Sequence, residues 1–183
     1  MMGNLRRRLV MTGHDARGVS RVASDRMIGG SPGPSLPGSE IGEMWGADGP
    51  LTFPDTGTMP GYAGFFPPLH GARLVEIYLP PDAVDYVPGS KQGHARHEAG
   101  DGAAQAGAAL ADDSRPGMHR TRTTDLIIVL ECRLDCVLDK ERVCLKAGDI
   151  FIQNGTIHAW FNPYPEPCRY MAVILGAENS LCP

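Results

Sequence analysis

The amino-acid sequence predicts an all-β protein, with its strands arranged as a small antiparallel barrel or sandwich. In the C-terminal half, short apolar runs follow one another at even spacing, separated by turn-forming pairs such as Gly148-Asp149 and Asn154-Gly155. Leu134, Cys136 and Leu138 alternate with charged residues, which is the period of two expected for a half-buried strand. Helical periodicity does not extend beyond about three turns anywhere in the sequence. These features together favour an all-β fold.

The individual strands are predicted from local composition. The first two form a pair, because Gly13, Asp15 and Gly18 supply a turn between two apolar runs. The segment 73–80 is rich in strand formers and ends at a proline, which cannot donate a hydrogen bond to a neighbouring strand. Lys140 marks a hairpin turn. The predicted strands comprise residues 9–11, 19–23, 73–80, 126–130, 134–138, 143–145, 150–152, 157–161 and 170–175.

The chain of 183 residues has the length of one domain, within which three stretches differ in character. Residues 1–72 combine the strand pair with an irregular Pro/Gly-rich segment that is expected to pack on the barrel. Residues 73–176 form the barrel itself, and residues 177–183 form a frayed tail. Within the barrel, residues 89–116 are dominated by Gly, Ala, Asp and Ser and predict an inserted loop. A His-x-x-His pair in that insertion is interpreted as solvated.

Charge and cysteine content exclude several classes of protein. The formal net charge of −4 and a pI near 5.8 give no overall attraction for nucleic acid or for an anionic membrane surface. The apolar run after Arg6-Arg7-Arg8 is too short for a signal-peptide core or a membrane span, so a cytoplasmic location is expected. Five cysteines, odd in number and without a Cys-x-x-Cys pair, are interpreted as reduced packing residues.

Two motifs carry most of the functional information. The first, residues 117–125, reads Gly-Met-His-Arg-Thr-Arg-Thr-Thr-Asp, and the second, residues 148–162, ends in Gly-Thr-Ile-His-Ala-Trp-Phe-Asn. Their pattern resembles the two motifs of the cupin family, in which a His-x-His pair precedes a glutamate and a later histidine precedes an asparagine. The stretch 7–15, Pro80-Pro81 and residues 166–169 also resemble a subgroup of small single-domain cupins.

The resemblance implies a fold and a set of metal ligands. The expected fold is the cupin jelly-roll, a double-stranded β-helix barrel with its site inside, and small cupins of this kind commonly form homodimers through their outer strands. The four usual ligand positions hold His119, Thr121, Asp125 and His158. A hydroxyl is a poor ligand for a transition metal, so His119, Asp125 and His158 remain as a two-histidine, one-carboxylate set. The expected cofactor is a divalent transition metal: Fe, Zn, Mn or Ni.

The residues themselves leave alternatives open. Side chains recur on one face of a strand at every second residue, so His158 and Trp160 point the same way. Asp125 lies six residues after His119, ~20 Å along an extended chain, and the two meet only if the chain bends between them. Either histidine can instead be a hydrogen-bonded core residue, and Asp125 can satisfy a turn or pair with Arg120.

The leading functional hypothesis is a small enzyme. His119, Asp125 and His158 are the expected catalytic residues, acting with the metal on a small oxygenated organic or polyketide-like substrate. Decarboxylation, dehydration, isomerisation or cyclisation, the chemistry of lyases and isomerases, is the first expectation. An iron-dependent dioxygenase is the second. A non-catalytic cupin that binds a small molecule is the alternative from a different class, favoured by the loss of one histidine at Thr121.

Overall fold

The computed structural model describes residues 4–33, 38–82, 109–111, 115 and 117–181, and all regular structure within these residues is β-strand. No helix in this part of the chain is long and apolar enough to cross a membrane. The strands are β1 (Arg6–His14), β2 (Ser20–Gly29), β3 (Ser31–Pro32), β4 (Glu40–Ala47), β5 (Ala72–Leu79), β6 (Ala109–Ala111), β7 (His119–Thr121), β8 (Thr123–Glu131), β9 (Arg133–Val137), β10 (Arg142–Lys146), β11 (Ile150–Gln153), β12 (Ala159–Phe161) and β13 (Cys168–Gly176).

The larger layer is a six-stranded antiparallel sheet in the order β11-β8-β13-β5-β4-β3. Its central strands β8 and β13 alternate buried residues with more exposed ones, as expected when one face of a sheet covers a core. The buried residues of these strands include Ile127, Val129, Tyr170 and Ala172. This face therefore forms one wall of the interior.

The smaller layer contains β10-β9-β12 and the pair β6-β7. A single antiparallel pair of residues, His119 and His158, joins these two groups of strands. Leu134, Cys136 and Leu145 of this layer belong to the same buried cluster as the inner residues of the larger sheet. Two layers of antiparallel strands thus enclose one core, which confirms the predicted all-β barrel.

The N-terminal hairpin β1-β2 is attached to the outer face of the large sheet through charged side chains. Glu76 on β5 is fully buried, and its carboxylate accepts hydrogen bonds from the guanidinium groups of Arg7 on β1 and Arg169 on β13. His14 at the end of β1 donates its backbone N–H to the carbonyl oxygen of Asp55 at 2.7 Å. The hairpin itself agrees with the predicted strand pair.

Three sequence-based expectations differ from the structure. The tail predicted to fray is held at Asn179, whose side chain donates to the carbonyl oxygens of Thr121 and Gly155. The segment 29–72 is not irregular throughout, because β4 lies within it and pairs with β5 in the large sheet. The prediction of a loop over residues 89–116 is wrong at residues 109–111, which form β6 beside β7. Apart from those three residues and residue 115, the insertion and its two histidines lie outside the described residues.

Candidate active site

Two histidines face each other where the strands of the small layer meet. His119 and His158 exchange both backbone hydrogen bonds, each with an N···O distance of 2.9 Å. This pairing places the two side chains on the same face of the layer, and their ring centroids are 4.3 Å apart. His158 is fully buried and His119 is half-buried. The sequence-predicted histidines are therefore neighbours inside one site.

Both imidazole rings are fixed in the same tautomer. Nδ1 of His119 lies 3.0 Å from the carbonyl oxygen of Gly117, and Nδ1 of His158 lies 2.9 Å from that of Thr156. A carbonyl oxygen only accepts, so each Nδ1 must carry the proton and donate it. In the neutral ring Nε2 is then an acceptor, and within the described residues neither Nε2 has a hydrogen-bond partner. The Nε2 atom of each histidine thus offers its lone pair to a hydrogen-bond donor or a metal ion.

Burial keeps these rings uncharged. Loss of solvent, together with the smaller effect of the neighbouring ring of His119, lowers the pKa of His158 to about 3. Burial also lowers the pKa of His119, although the bond to Gly117 opposes that change. Near neutral pH the pair therefore acts as two acceptors without positive charge.

Asp125 lies on the same inner surface, separated from the histidines by two threonines. Thr121, Thr123 and Asp125 are all buried and follow one another at every second residue. The hydroxyl of Thr123 donates to that of Thr121 at 2.9 Å, so the chain bends between β7 and β8 as a meeting of the two motifs requires. The carbonyl oxygen of Thr121 also accepts a hydrogen bond from Asn179 in the C-terminal segment.

Gly155 allows the second motif to approach this bend. Its φ is +59°, and a Cβ atom there would lie 2.9 Å from the carbonyl oxygen of Thr121 and 2.8 Å from Nδ2 of Asn179. Only glycine provides both the conformation and the space. This close approach brings the loop before His158 against the strand that follows His119.

Asp125 is an unusual core residue. It is 7% exposed, and its Oδ1 is buried without any hydrogen-bond partner. Burial raises the pKa of Asp125 to about 6, and a hydrogen bond with Thr123 only partly opposes this change. The register places Asp125 between Gln153 of β11 and Ile174 of β13, both of which are buried. The pKa of this buried carboxyl group therefore lies near neutral pH.

An aromatic wall adjoins the histidine pair. The ring centroids of His158 and Trp160 are 5.6 Å apart, and Trp160 lies 5.7 Å from both Phe151 and Tyr170. Trp160 pairs with Cys136 and Phe151 pairs with Ile127, so both aromatic residues point to the inner face. The site thus has a polar end and an apolar aromatic side.

The comparison with known proteins assigns a family to this barrel. The Cupin_2 model, described as a cupin domain, matches residues 109–174, which contain both histidines, Asp125 and the aromatic wall. This stretch of the chain therefore matches a cupin domain.

Curated relatives match only part of this chain. Phomopsin biosynthesis cluster protein C′ of Diaporthe leptostromiformis is 47% identical over 55 residues, which are 27% of this chain and 29% of that protein. Oryzines biosynthesis cluster protein J of Aspergillus oryzae is 41% identical over 49 residues, 26% of this chain and 27% of that protein. The chain spans less than a third of the length of these relatives.

Solved structures resemble this cupin at low sequence identity. A crystal structure described as a putative ethanolamine utilization protein Q from Salmonella typhimurium matches 96% of this chain and 100% of its own, with 12% identity and a TM-score of 0.43. A predicted oxalate decarboxylase from Thermotoga maritima matches 57% of this chain and 65% of its own, with 18% identity and a TM-score of 0.35.

The predicted metal ligands of this cupin are only partly assembled. Among the described residues, no group of three or more His, Cys, Asp or Glu side chains is placed to hold a metal ion. His119 and His158 are adjacent, but Asp125 does not join them in such a group. The pair offers two nitrogen ligands, fewer than a structural or catalytic transition-metal site usually takes from the protein. A complete three-ligand centre is therefore not formed by these three residues in this arrangement.

The sequence motifs did not single out several residues of the site. Thr123, which bonds to Thr121, and Tyr170, which packs on Trp160, were not predicted as part of it. The alternation of side chains along a strand could have identified Thr123, because residues 121, 123 and 125 share one face. Tyr170 comes from a distant strand, and no local pattern connects it with the histidines.

Proposed function

We propose that this cupin is an enzyme that transfers a proton on a small oxygenated organic molecule bound inside the barrel, in a lyase or isomerase reaction. Asp125 is the observation that carries the proposal. Buried polar atoms in protein cores are normally hydrogen-bonded, and Oδ1 of Asp125 is not. An open acceptor on a carboxyl group, in a chamber that also holds two neutral imidazoles, suits a proton-donating substrate.

Asp125 is assigned the role of general base and acid. A catalytic group works best when its pKa lies near the working pH, and burial brings the pKa of Asp125 to about 6. As the carboxylate it takes a proton from a carbon or hydroxyl of the substrate. As the acid it returns that proton to another atom, which completes an isomerisation or assists a leaving hydroxyl group. The Nε2 atoms of His119 and His158 orient the substrate by accepting hydrogen bonds.

A metal-dependent form of this activity is the second candidate. The fixed tautomers of His119 and His158 leave both Nε2 lone pairs free, which is the state that a metal ligand requires. A divalent Fe, Zn, Mn or Ni ion bound there would polarise a substrate oxygen, or as iron support a dioxygenase reaction. Further ligands beyond the pair would be needed, and the substrate or water can supply them.

The fungal relatives support a substrate from secondary metabolism. Their names assign them to phomopsin and oryzines biosynthesis clusters. Their sequence similarity to the present protein is confined to about a quarter of this chain. We extend this to a polyketide-like or similarly oxygenated substrate for the present cupin. A homodimer stays a prediction, which light scattering on the purified protein will check.

Proton exchange with solvent tests the proposed activity. A panel of small ketones, lactones, enols and hydroxy acids is incubated with the protein in D2O, and deuterium incorporation at carbon is followed by mass spectrometry after the hydroxyl deuterium has been washed back to hydrogen. Asp125→Asn should reduce exchange by about a hundredfold or more, because a positioned acid/base group contributes 10²–10⁴ in rate. The matched control is Asp139→Asn, since Asp139 is an exposed carboxylate paired with Arg115.

The same samples separate the two candidates. Metal content is measured before the assay, and exchange is repeated after chelation. Exchange that survives chelation and needs Asp125 supports the metal-independent form, whereas loss on chelation supports the second candidate. Equal exchange by Asp125→Asn and wild type contradicts the assigned role. The absence of any exchange across the panel favours a non-catalytic binding protein.

A further inference from the structure

The inner surface around Trp160 is open to a ligand. Trp160 and Phe151 point inward, yet both remain partly exposed, whereas their cross-strand neighbours Cys136 and Ile127 are 0% and 2% exposed. Inward-facing aromatic residues that keep accessible surface line a cavity rather than a closed core. A ring placed there would contact the indole face or edge in the manner of aromatic pairs in proteins.

Three open polar atoms of the same chamber are acceptors. They are Nε2 of His119, Nε2 of His158 and Oδ1 of Asp125. The Nδ1 protons of the two histidines are already donated to backbone carbonyl oxygens, and the hydroxyls of Thr121 and Thr123 bond to each other. A ligand that brings a hydrogen-bond donor satisfies these atoms, and a ligand with acceptors alone leaves them unpaired.

The charge of the chamber disfavours an anionic ligand. Arg73 shares a row of the inner sheet with Ile174 and Asp125, but its guanidinium group is committed to Asp48 and to backbone carbonyl oxygens, Ala47 among them. It also lies 4.2 Å from the ring centroid of Tyr62. Along this row no other cation faces Asp125, and a carboxylate brings only acceptors, so it would leave the unpaired Oδ1 of Asp125 without a donor.

We propose that the chamber selects a neutral hydroxylated aromatic or enolic compound, with its ring against Trp160 and its hydroxyl group donating to Asp125 or to a histidine. This assignment rests on the site of the proposed function and names its substrate class. Trp160 is then a specificity-determining residue, and the hydroxyl group holds the ligand beside Asp125.

A matched set of four probes tests the proposal at pH 8, where the phenol and both other neutral probes are uncharged and the benzoate is an anion. The probes are 4-methylphenol, 4-methylanisole, 4-methylcyclohexanol and 4-methylbenzoate, which vary in turn the donor, the ring and the charge. Each is titrated into ¹⁵N-labelled protein. The chain has two tryptophans, so its spectrum contains two indole N–H signals. Trp45 pairs with Leu74 on the outer face of the large sheet, and the Trp45→Phe variant identifies the signal of Trp160.

The proposal predicts that 4-methylphenol shifts the Trp160 signal and binds about tenfold or more tightly than each of the other three probes, a difference of ~1.4 kcal/mol or more. Trp160→Leu should remove the advantage of the aromatic ring, and Trp45→Leu should keep it. If Trp160→Leu does not fold, the order of the affinities of the four probes for the wild-type protein still tests the proposal. Equal affinity for the anisole or the cyclohexanol, or preference for the benzoate, overturns the proposal.

The outcome is independent of catalysis. If 4-methylphenol binds at Trp160 as expected and no compound exchanges protons, the ligand class stands and the proposed enzyme activity fails. If Asp125-dependent exchange occurs equally well on saturated and aromatic compounds, the activity stands and the ligand class fails.

Discussion

The burial of Asp125 lowers the stability of the folded barrel by an amount that depends on pH. Its ordinary pKa of 3.8 rises to about 6 because the carboxyl group is buried, so the folded state holds the proton more tightly than the unfolded chain does. Below pH 4 the group is neutral in both states and costs nothing. As pH rises from about 4 to 6 the unfolded chain ionises first, and the folded protein loses stability relative to it.

Replacement of Asp125 by asparagine should therefore stabilise the protein at high pH. The gain over wild type should be small near pH 4, grow between pH 4 and 6, and reach at most about 3 kcal/mol above pH 6, since each pKa unit corresponds to ~1.4 kcal/mol. Urea unfolding at a series of pH values measures it. A stability difference that stays constant between pH 4 and 8 would show that the carboxyl group is not desolvated.

For individual residues, the sequence predicted which residue types belong to the site better than it predicted which of them lie close together. His119 and His158 were recognised from the motifs, and the parity of the strands placed them on inner faces. The distance of Asp125 from them depended on a bend at Arg122, and no motif fixes the angle of that bend. The contact between Thr121 and Thr123 shows that the bend exists, yet the three predicted ligands do not form one group.

The attachment of the hairpin β1-β2 rests on a buried ionic cluster. Glu76 is fully buried, while Arg7 and Arg169 are 37% and 18% exposed at their side chains. Each arginine alone still leaves the carboxylate with one partner. When both are absent, an unpaired charge remains at a buried position, which costs several kcal/mol. The two arginines should therefore be coupled.

A double-mutant cycle measures that coupling. Arg7→Ala and Arg169→Ala should each lower the free energy of unfolding, and the double variant should lose at least about 1 kcal/mol more than the sum of the two. The neighbouring Arg8→Ala is the matched control, because Arg8 and Asp25 form an exposed pair whose loss should change the stability little. Strict additivity would mean that Glu76 is relieved in another way, such as by proton uptake.

Strands were predicted correctly where apolar and polar residues alternate without a break. They were missed where glycine and proline interrupt that alternation. β8, β9 and β13 carry regular patterns and lie where the sequence predicted them. β4 was missed because Gly42 and Gly46 break its apolar pattern within a proline-rich stretch. Its place in the large sheet is fixed by pairing with β5, a contact that local sequence does not reveal.

The pairing of β4 with β5 also bears on how the whole molecule is divided. The sequence predicts residues 1–72 as a region that packs on a barrel of residues 73–176. β4 belongs to the first region, yet it lies between β5 and β3 within the large sheet. The guanidinium group of Arg73, which is 1% exposed, depends on the carboxylate of Asp48 and on carbonyl oxygens of Ala47 and Gly64, all from that first region.

A chain that begins at residue 73 should therefore not fold. It would leave β5 paired only with β13, as a new edge strand, and Arg73 as a buried cation without its partners. A chain that begins at residue 31 keeps β3 and β4, so it should fold with reduced stability, because only the hairpin and its ionic cluster are lost. Circular dichroism during urea unfolding distinguishes the two. A cooperative transition in the shorter chain would show that the barrel is independent of residues 1–72, whereas its absence there, together with a transition in the longer chain, would place the boundary before β3.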